Sequence, residues 1–337
     1  MTDYMILGAG AVGCVFGGML AHAGKQVQLV TRSPDLGAAV AGAGLTLSLQ
    51  QGDITVHPMA CQPDRARPAP VILILTKSFD TEAAIEGIRP QITRDCVLVT
   101  LQNGLGNAEL LARLCPDNLI LQGMTMLPAT YLRPGQVRAK GVAEAWLGPL
   151  PDQDREQGRD QGREQGRDQN WERAMAVAHQ LAADLALAGG QIHVQEDVRP
   201  AIWQKACFNI AMNGVGALID GGPGLIPDTE GLQELVFGLM EETIEVARLQ
   251  GIEIDSGQVR ALITKSTSQH RTHTPSMLQD IRAGRRTEIG ALNGAVLEMA
   301  RQHQVAVPLN QMIDALVRAR EAAPLWWQQA GADHPAG

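Results

Sequence analysis

Lys205, Asn209 and Asn213 recur every fourth residue within Trp203-Gln204-Lys205-Ala206-Cys207-Phe208-Asn209-Ile210-Ala211-Met212-Asn213. On a helix that spacing lines an ammonium and two carboxamides along one face and leaves the other face apolar. An ammonium so placed can stabilise and then protonate an oxygen that gains negative charge, provided partial burial lowers its pKa toward neutrality. Asparagine is a poor helix former, so two of them in one helix should be rewarded by a contact. That contact is either a ligand or a hydrogen bond to a neighbouring helix.

A second group of candidates lies in Ser276-Met277-Leu278-Gln279-Asp280-Ile281-Arg282-Ala283-Gly284-Arg285-Arg286-Thr287-Glu288-Ile289. Ser276 followed by Gln279 fits a capping box, which makes Ser276 either a helix cap or a substrate contact. Glu288 falls among apolar residues of a predicted helix from Thr287 to His303. It is either a working carboxylate or the partner of a nearby arginine in a surface ion pair.

Such groups need a platform, and the start of the chain has the pattern of one. Met5-Ile6-Leu7 reads as a short buried strand, and Gly8-Ala9-Gly10-Ala11-Val12-Gly13 matches G-x-G-x-x-G. A helical pattern follows through Leu20, then a second strand at Val27–Val30. This strand–turn–helix cradles a pyrophosphate: Gly8 permits the turn, Gly10 lets the backbone approach the phosphates, and Gly13 lets helix and strand pack. The helix N-terminus adds unpaired N–H groups and a positive dipole end. Met1-Thr2-Asp3-Tyr4 carries no positive charge, so the apolar run is not read as a signal peptide. After the second strand, where an NAD site places an acidic residue, stands Thr31-Arg32-Ser33. Arg32 can grip a 2′-phosphate through two parallel hydrogen bonds, which favours NADP(H).

Further strands are expected at Val71–Leu75, Cys96–Leu101, Leu119–Leu121 and Gln191–Val194, with helices at Thr81–Ile88 and Ala108–Leu114. Leu45–Leu49 and Ile54–Val56 suggest a small hairpin turning at Gly52-Asp53, and Val137–Ala139 and Ala145–Gly148 suggest antiparallel edge strands. Alternating strand and helix predicts a Rossmann-type, doubly wound α/β sheet, whose strand ends would carry the glycine loop, Arg32, Lys77 and Asn103 on one rim. Residues 152–169, an acid-Gln-Gly-Arg repeat without an apolar side chain, are expected to form a solvated loop, followed by a helix from Trp171 to Leu187. From about residue 197 nearly everything reads as helix. The expected organisation is an NADP-binding domain over residues 1–196, a helical substrate and catalytic domain over 197–325, and a tail over 326–337, with the catalytic cleft between the two domains. Leu325-Trp326-Trp327 would pack on the second domain or on a partner chain, a homodimer being one such arrangement.

The chain has 337 residues and a net charge of −8 without a basic block, which argues against nucleic acid or a membrane surface as a partner. An anionic substrate would need a local positive site. The five cysteines are scattered and lack C-x-x-C spacing, so no metal site is expected and a reducing cytoplasm is. No apolar run is long enough to span a membrane without several glycines.

The chain resembles the ketopantoate reductase (2-dehydropantoate 2-reductase) family of the 6-phosphogluconate-dehydrogenase-like superfamily. The resemblance runs from Ile6 to about Glu321, interrupted by the repeat. It rests on GAGAVG at 8–13, TKSFDT at 76–81, QNGLGN at 102–107, WQKACFNIAMN at 203–213, SMLQDIRAGRRTEIGALNG at 276–294 and the pattern around Val307-Pro308. It implies NADPH-dependent reduction of ketopantoate to (R)-pantoate, a step toward pantothenate, in the cytoplasm. Lys205 would be the general acid, held with the substrate by Glu288. Asn209 and Asn213 would bind the substrate hydroxyl and Ser276 its carboxylate. Asn103 would lie between nicotinamide and substrate, while Lys77 and Arg32, with residues 8–13, would contact the cofactor, and Glu288 would border it. The alternatives are a paralogue acting on another small 2-oxo acid, or a non-catalytic NADPH sensor; the latter would call for substitutions at Lys205 or Glu288, and both residues are present.

Overall fold

A computed structural model describes residues 2–50, 52–151 and 164–329. Its contacts divide into two compact units, Met1–Gln102 with Asn107–Ala201, and Asn103–Gly106 with Ile202–Gly337.

The first unit is built on an eight-stranded sheet. Its strands are β1 (Tyr4–Leu7), β2 (Val27–Val30), β5 (Met59–Cys61), β6 (Val71–Ile74), β7 (Val97–Thr100), β8 (Leu119–Thr125), β11 (Glu144–Pro149) and β12 (Gln191–Val194). They lie in the order β12-β11-β8-β7-β6-β1-β2-β5. From β5 to β8 all pairings are parallel, and β11 runs antiparallel to β8 while pairing in parallel with β12. Taken in chain order, the six parallel strands give the 3-2-1-4-5-6 order of a dinucleotide-binding sheet, with its switch point between β1 and β6.

Continuous apolar strands are buried on both faces, and their side chains alternate between two cores. Ile6, Leu73 and Val99 join a core with Phe16 of α1 (Ala11–His22) and Leu181 of a later helix. Met5, Ile72 and Leu98 join the other, with Ile85 of α3 (Thr81–Gly87) and Leu111 of α4 (Asn107–Leu114). At the start of β1 the Tyr4 hydroxyl donates to Asp184 at 2.6 Å, and Lys25 pairs with the same carboxylate at 2.9 Å.

Several local expectations are corrected. α2 (Pro34–Ala43) has no counterpart in the sequence reading, although Ser33 caps it by accepting from the Leu36 N–H and Pro34 opens it. In the hairpin of β3 (Leu45–Leu49) and β4 (Gly52–Val56), Leu49 pairs with Gly52 and Ser48 with Asp53, so Gly52-Asp53 opens the second strand instead of making the turn. β10 (Gln136–Ala139) is not an edge strand: it lies between β3 and β9 (Ala129–Arg133) in a separate sheet ordered β4-β3-β10-β9. Nor is β11 at an edge, since β12 covers it. Residues 152–163 of the repeat lie outside the described residues. Residues 164–169 are helical, being the start of α5 (Glu164–Ala186). Extending an existing helix adds one hydrogen bond per residue fixed, which offsets the weak propensity of glycine.

The second unit is helical. α6 (Arg199–Ile219) enters it from Ile202 onward, and α7 (Leu225–Asp228), α8 (Leu232–Leu249), α9 (Ser256–Gln269), α10 (Ser276–Arg282), α11 (Asn293–Gln302) and α12 (Pro308–Gln329) complete it. Cys207, Ile210, Ala211 and Val215 of α6 are buried against Val236, Met240, Ile263 and Ile313. A buried polar network adds direction to this apolar packing. Asn293 donates to Asn310 Oδ1 at 3.0 Å and to the Ile210 carbonyl at 3.4 Å. Glu242 accepts from the backbone N–H groups of Leu309 and Asn310, both at 2.9 Å, and so caps α12. These bonds fix α6 against α8, α11 and α12.

The expected helix from Thr287 to His303 is interrupted. A single 3-10 turn, Ile289–Ala291, precedes α11, and Leu292 between them has φ −107° and ψ −101°, outside helical values. α12 passes through Pro324 and Trp326 to Gln329, so part of the expected tail is helix; Leu325 and Trp326 are exposed on it. Among the described residues no helix is long and apolar enough to cross a membrane.

Candidate active site

In the second unit, Lys205 Nζ donates to Asn103 Oδ1 at 2.5 Å. Asn103 owes its position to the turn that follows. Gly104 has φ +93°, and a Cβ there would lie 2.3 Å from the Ala291 carbonyl oxygen. The Leu105 N–H donates to that same oxygen at 2.8 Å. Only glycine accepts both the dihedral and the contact.

Asn103, Asn209, Asn213, Ser276, Asp280 and Glu288 line one pocket together with Met277 and Leu292. Asn209 and Asn213 reach it from successive turns of α6 beyond Lys205. Asn213 and Glu288 are 9% and 8% exposed, so water reaches neither freely. Every substrate-site residue expected from the sequence thus falls in one concavity, with Lys205 bonded to one of its walls.

The electrostatics favour a transferable proton. Withdrawal of its ammonium from water pushes the pKa of Lys205 down to about 8, and the Glu288 carboxylate opposes that shift. The side chain as a whole is half-buried. At neutral pH it is therefore a cation ready to give up its proton.

Two local expectations fail. Glu288 is not inside a helix; it sits at the bend before the 3-10 turn, where Thr287 Oγ1 accepts from the Ile289 N–H and Glu321 accepts from the Thr287 N–H. The Ser276–Gln279 capping box does not form either. Pro275 occupies the cap position without a side-chain bond, and the Gln279 amide donates to the Thr274 carbonyl at 2.8 Å. Ser276 is left exposed at the pocket.

Asp280 is a pocket residue that the sequence reading passed over. It is 4% exposed and pairs with Arg285 at 2.8 Å. The i, i+4 spacing from Ser276 puts it on the same helix face, but only the fold shows that this position is buried.

In the first unit, the three glycines of the loop divide their tasks. Gly8 has φ +101°, and a Cβ there would stand 2.5 Å from the Thr76 backbone nitrogen; a Cβ on Gly13 would stand 2.2 Å from the Gly8 carbonyl oxygen. Gly10 has nothing within 4 Å of the Cβ position and precedes the first turn of α1, whose leading N–H groups have no intrahelical acceptor. Open space beside Gly10 and free donors from Ala11, Val12 and Gly13 fit a pyrophosphate. Arg32 lies beyond the end of β2, and its Nη2 pairs with Asp80 Oδ2 at 2.8 Å. Lys77 follows β6 directly before the 3-10 turn Ser78–Asp80. Buried Gln102, another residue not singled out from the sequence, donates to the Thr76 carbonyl at 2.8 Å and to Thr81 Oγ1 at 2.9 Å, and so pins both ends of the segment that carries Lys77.

The glycine loop, Arg32 and Lys77 follow the ends of the parallel strands β1, β2 and β6, whereas Asn103 counts with the second unit. The five cysteines are free thiols. Among the described residues no cluster of three His, Cys, Asp or Glu could hold a metal ion.

Residues 4–152 match the family model described as ketopantoate reductase PanE/ApbA, and residues 197–321 match that of its C-terminal part. A 2-dehydropantoate 2-reductase of Pyrococcus horikoshii is 31% identical over 321 residues, covering 94% of this chain and 97% of the relative. The crystal structure of a PanE/ApbA family ketopantoate reductase from Ralstonia eutropha JMP134 superimposes with a TM-score of 0.83 at 30% identity, covering 96% of this chain and 100% of that one. A ternary structure of D-mandelate dehydrogenase with NADH and anilino(oxo)acetate also gives 0.83, at 26% identity, covering 96% and 99% of the two chains.

Proposed function

The chain belongs to the ketopantoate reductase family, and from that premise we propose that it reduces 2-dehydropantoate to (R)-pantoate with NADPH. The observation that carries this reading is the Lys205 ammonium, withdrawn from water and bonded to Asn103, on the helix face that also bears Asn209 and Asn213. Bound NADPH supplies the hydride.

Lys205 gives its Nζ proton to the substrate carbonyl oxygen as negative charge develops there. Glu288 keeps Lys205 protonated and oriented through its negative charge. Asn209 and Asn213 hold the substrate hydroxyl, Ser276 its carboxylate, and Asn103 aligns the carbonyl against the ammonium. In a chain of net charge −8 the Lys205 cation is the local attraction for an anionic substrate. The loop 8–13, Arg32 and Lys77 would hold the coenzyme, and the Arg32 guanidinium would pair with a 2′-phosphate. The free cysteines suit the cytoplasm, where pantoate is made.

A panel of 2-oxo acids assayed with NADPH and with NADH tests this. Ketopantoate with NADPH should give the highest kcat/KM. The second reading, a paralogue that reduces another small 2-oxo acid with NADH, draws on the equal TM-score of the D-mandelate dehydrogenase complex. Phenylglyoxylate or an aliphatic homologue as the best substrate would select it.

A further inference from the structure

Arg32 is not idle in this structure, and its partner is a carboxylate. We propose that Asp80 is a specificity-determining residue of the coenzyme site: it competes with the 2′-phosphate of NADPH for the Arg32 guanidinium and narrows the preference for that coenzyme over NADH. This rests on the reading of Arg32 as the 2′-phosphate partner.

Both side chains are placed by the backbone. The Thr31 N–H donates to the Cys61 carbonyl at 3.0 Å, extending the β2–β5 ladder, so Arg32 follows at the position where this fold recognises the ribose 2′ substituent. The Asp80 N–H donates to the Lys77 carbonyl at 2.9 Å and closes the 3-10 turn. Gln102 bonds Thr76 and Thr81 on either side of that turn. Asp80 is therefore held on a short, braced segment, and the arginine reaches to it, with Nη2 and Oδ2 2.8 Å apart. The Arg32 side chain is 75% exposed and that of Asp80 30%, so the pair opens to solvent and can be broken by an incoming anion.

The two coenzymes meet this pair differently. A 2′-phosphate needs the guanidinium fork for two parallel bonds. Asp80 occupies one nitrogen of that fork and leaves a fixed negative charge beside the phosphate. A ribose 2′-hydroxyl is neutral, needs no fork and meets no repulsion. Asp80 therefore weakens one coenzyme and spares the other.

The test is calorimetric titration of the purified full chain with NADP+ and with NAD+, for the wild type, Asp80→Asn and Arg32→Ala, each checked for an unchanged melting temperature. Asp80→Asn should tighten NADP+ by roughly three- to thirty-fold, change NAD+ less than about two-fold, and lose its advantage as salt is raised. Equal or weaker NADP+ binding by Asp80→Asn, or an equal gain for NAD+, overturns the proposal. Arg32→Ala separates the two layers. If it weakens NADP+ alone while Asp80→Asn changes nothing, the role of Asp80 fails and the phosphate reading stands. If it affects neither coenzyme, both fail.

Discussion

Lys205 Nζ lies 2.5 Å from Asn103 Oδ1 although 102 positions separate the two residues. The ammonium is thereby held by a side chain whose own loop is fixed to the backbone of Ala291, immediately after the bend that carries Glu288. The Asn103 amide that holds the ammonium and the Glu288 carboxylate are therefore tied to one backbone junction.

The weakest link in that arrangement is Gly104. Its left-handed φ of +93° and the 2.3 Å that would separate an added Cβ from the Ala291 oxygen leave no room for a methyl group. Gly104→Ala should cost about 1–3 kcal/mol of stability and lower kcat more than it raises KM, because Asn103 is displaced from the ammonium. Chemical denaturation and steady-state kinetics of the variant measure both effects; wild-type values in each would show that the turn does not position Asn103.

The glycine loop offers a separation of folding from binding. Gly10 has extended dihedrals, φ −78° and ψ −161°, and open space at its Cβ, whereas a Cβ on Gly13 would strike the Gly8 carbonyl. Gly10→Ala should leave stability within about 0.5 kcal/mol and weaken coenzyme binding at least about tenfold. Gly13→Ala should destabilise the protein by about 1–3 kcal/mol. The contrast is read from melting curves and coenzyme titrations of the two variants side by side.

The pH dependence follows from Lys205. Its pKa of about 8 means that kcat/KM for reduction, which needs the protonated form, should be flat below that pH and fall above it. Glu288 raises this pKa, so Glu288→Gln should move the alkaline limb to lower pH as well as slow the reaction. A limb that stays in place in Glu288→Gln would show that the carboxylate does not act on the ammonium.

The same shift has a sign in stability. The folded-state value of about 8 lies below the ordinary 10.5, so between those values the unfolded chain binds more protons. Burying the charged ammonium opposes folding fully below about 8, and that penalty disappears as pH rises toward 10.5. The unfolding free energy of the wild type minus that of Lys205→Met should therefore increase with pH across this window. A difference that stays level or declines would mean that the ammonium is not desolvated.

What the sequence made legible were the features governed by local rules. The glycine spacing at 8–13 has only one economical geometry next to a strand, and the period of Lys205, Asn209 and Asn213 survives because α6 runs unbroken through all three. Long-range geometry was hidden. Nothing near Asp280 reveals its burial, nothing near Gln102 reveals its bonds to Thr76 and Thr81, and nothing near Arg32 reveals Asp80. Glu288 was misplaced for a different reason. The apolar period continues through residues 287–303, but the non-helical dihedrals of Leu292 interrupt the helix. The capping-box pattern at Ser276 lost to Pro275, which sets the start of α10, while Gln279 turned to the Thr274 carbonyl.

Whether the Lys205 ammonium protonates the carbonyl oxygen as hydride arrives is decided by single-turnover reduction of ketopantoate by NADPH in Lys205→Met. The rate should be lower by a factor on the order of 10² to 10⁴, with coenzyme binding and melting temperature retained. A variant that reduced ketopantoate at nearly the wild-type rate would contradict it.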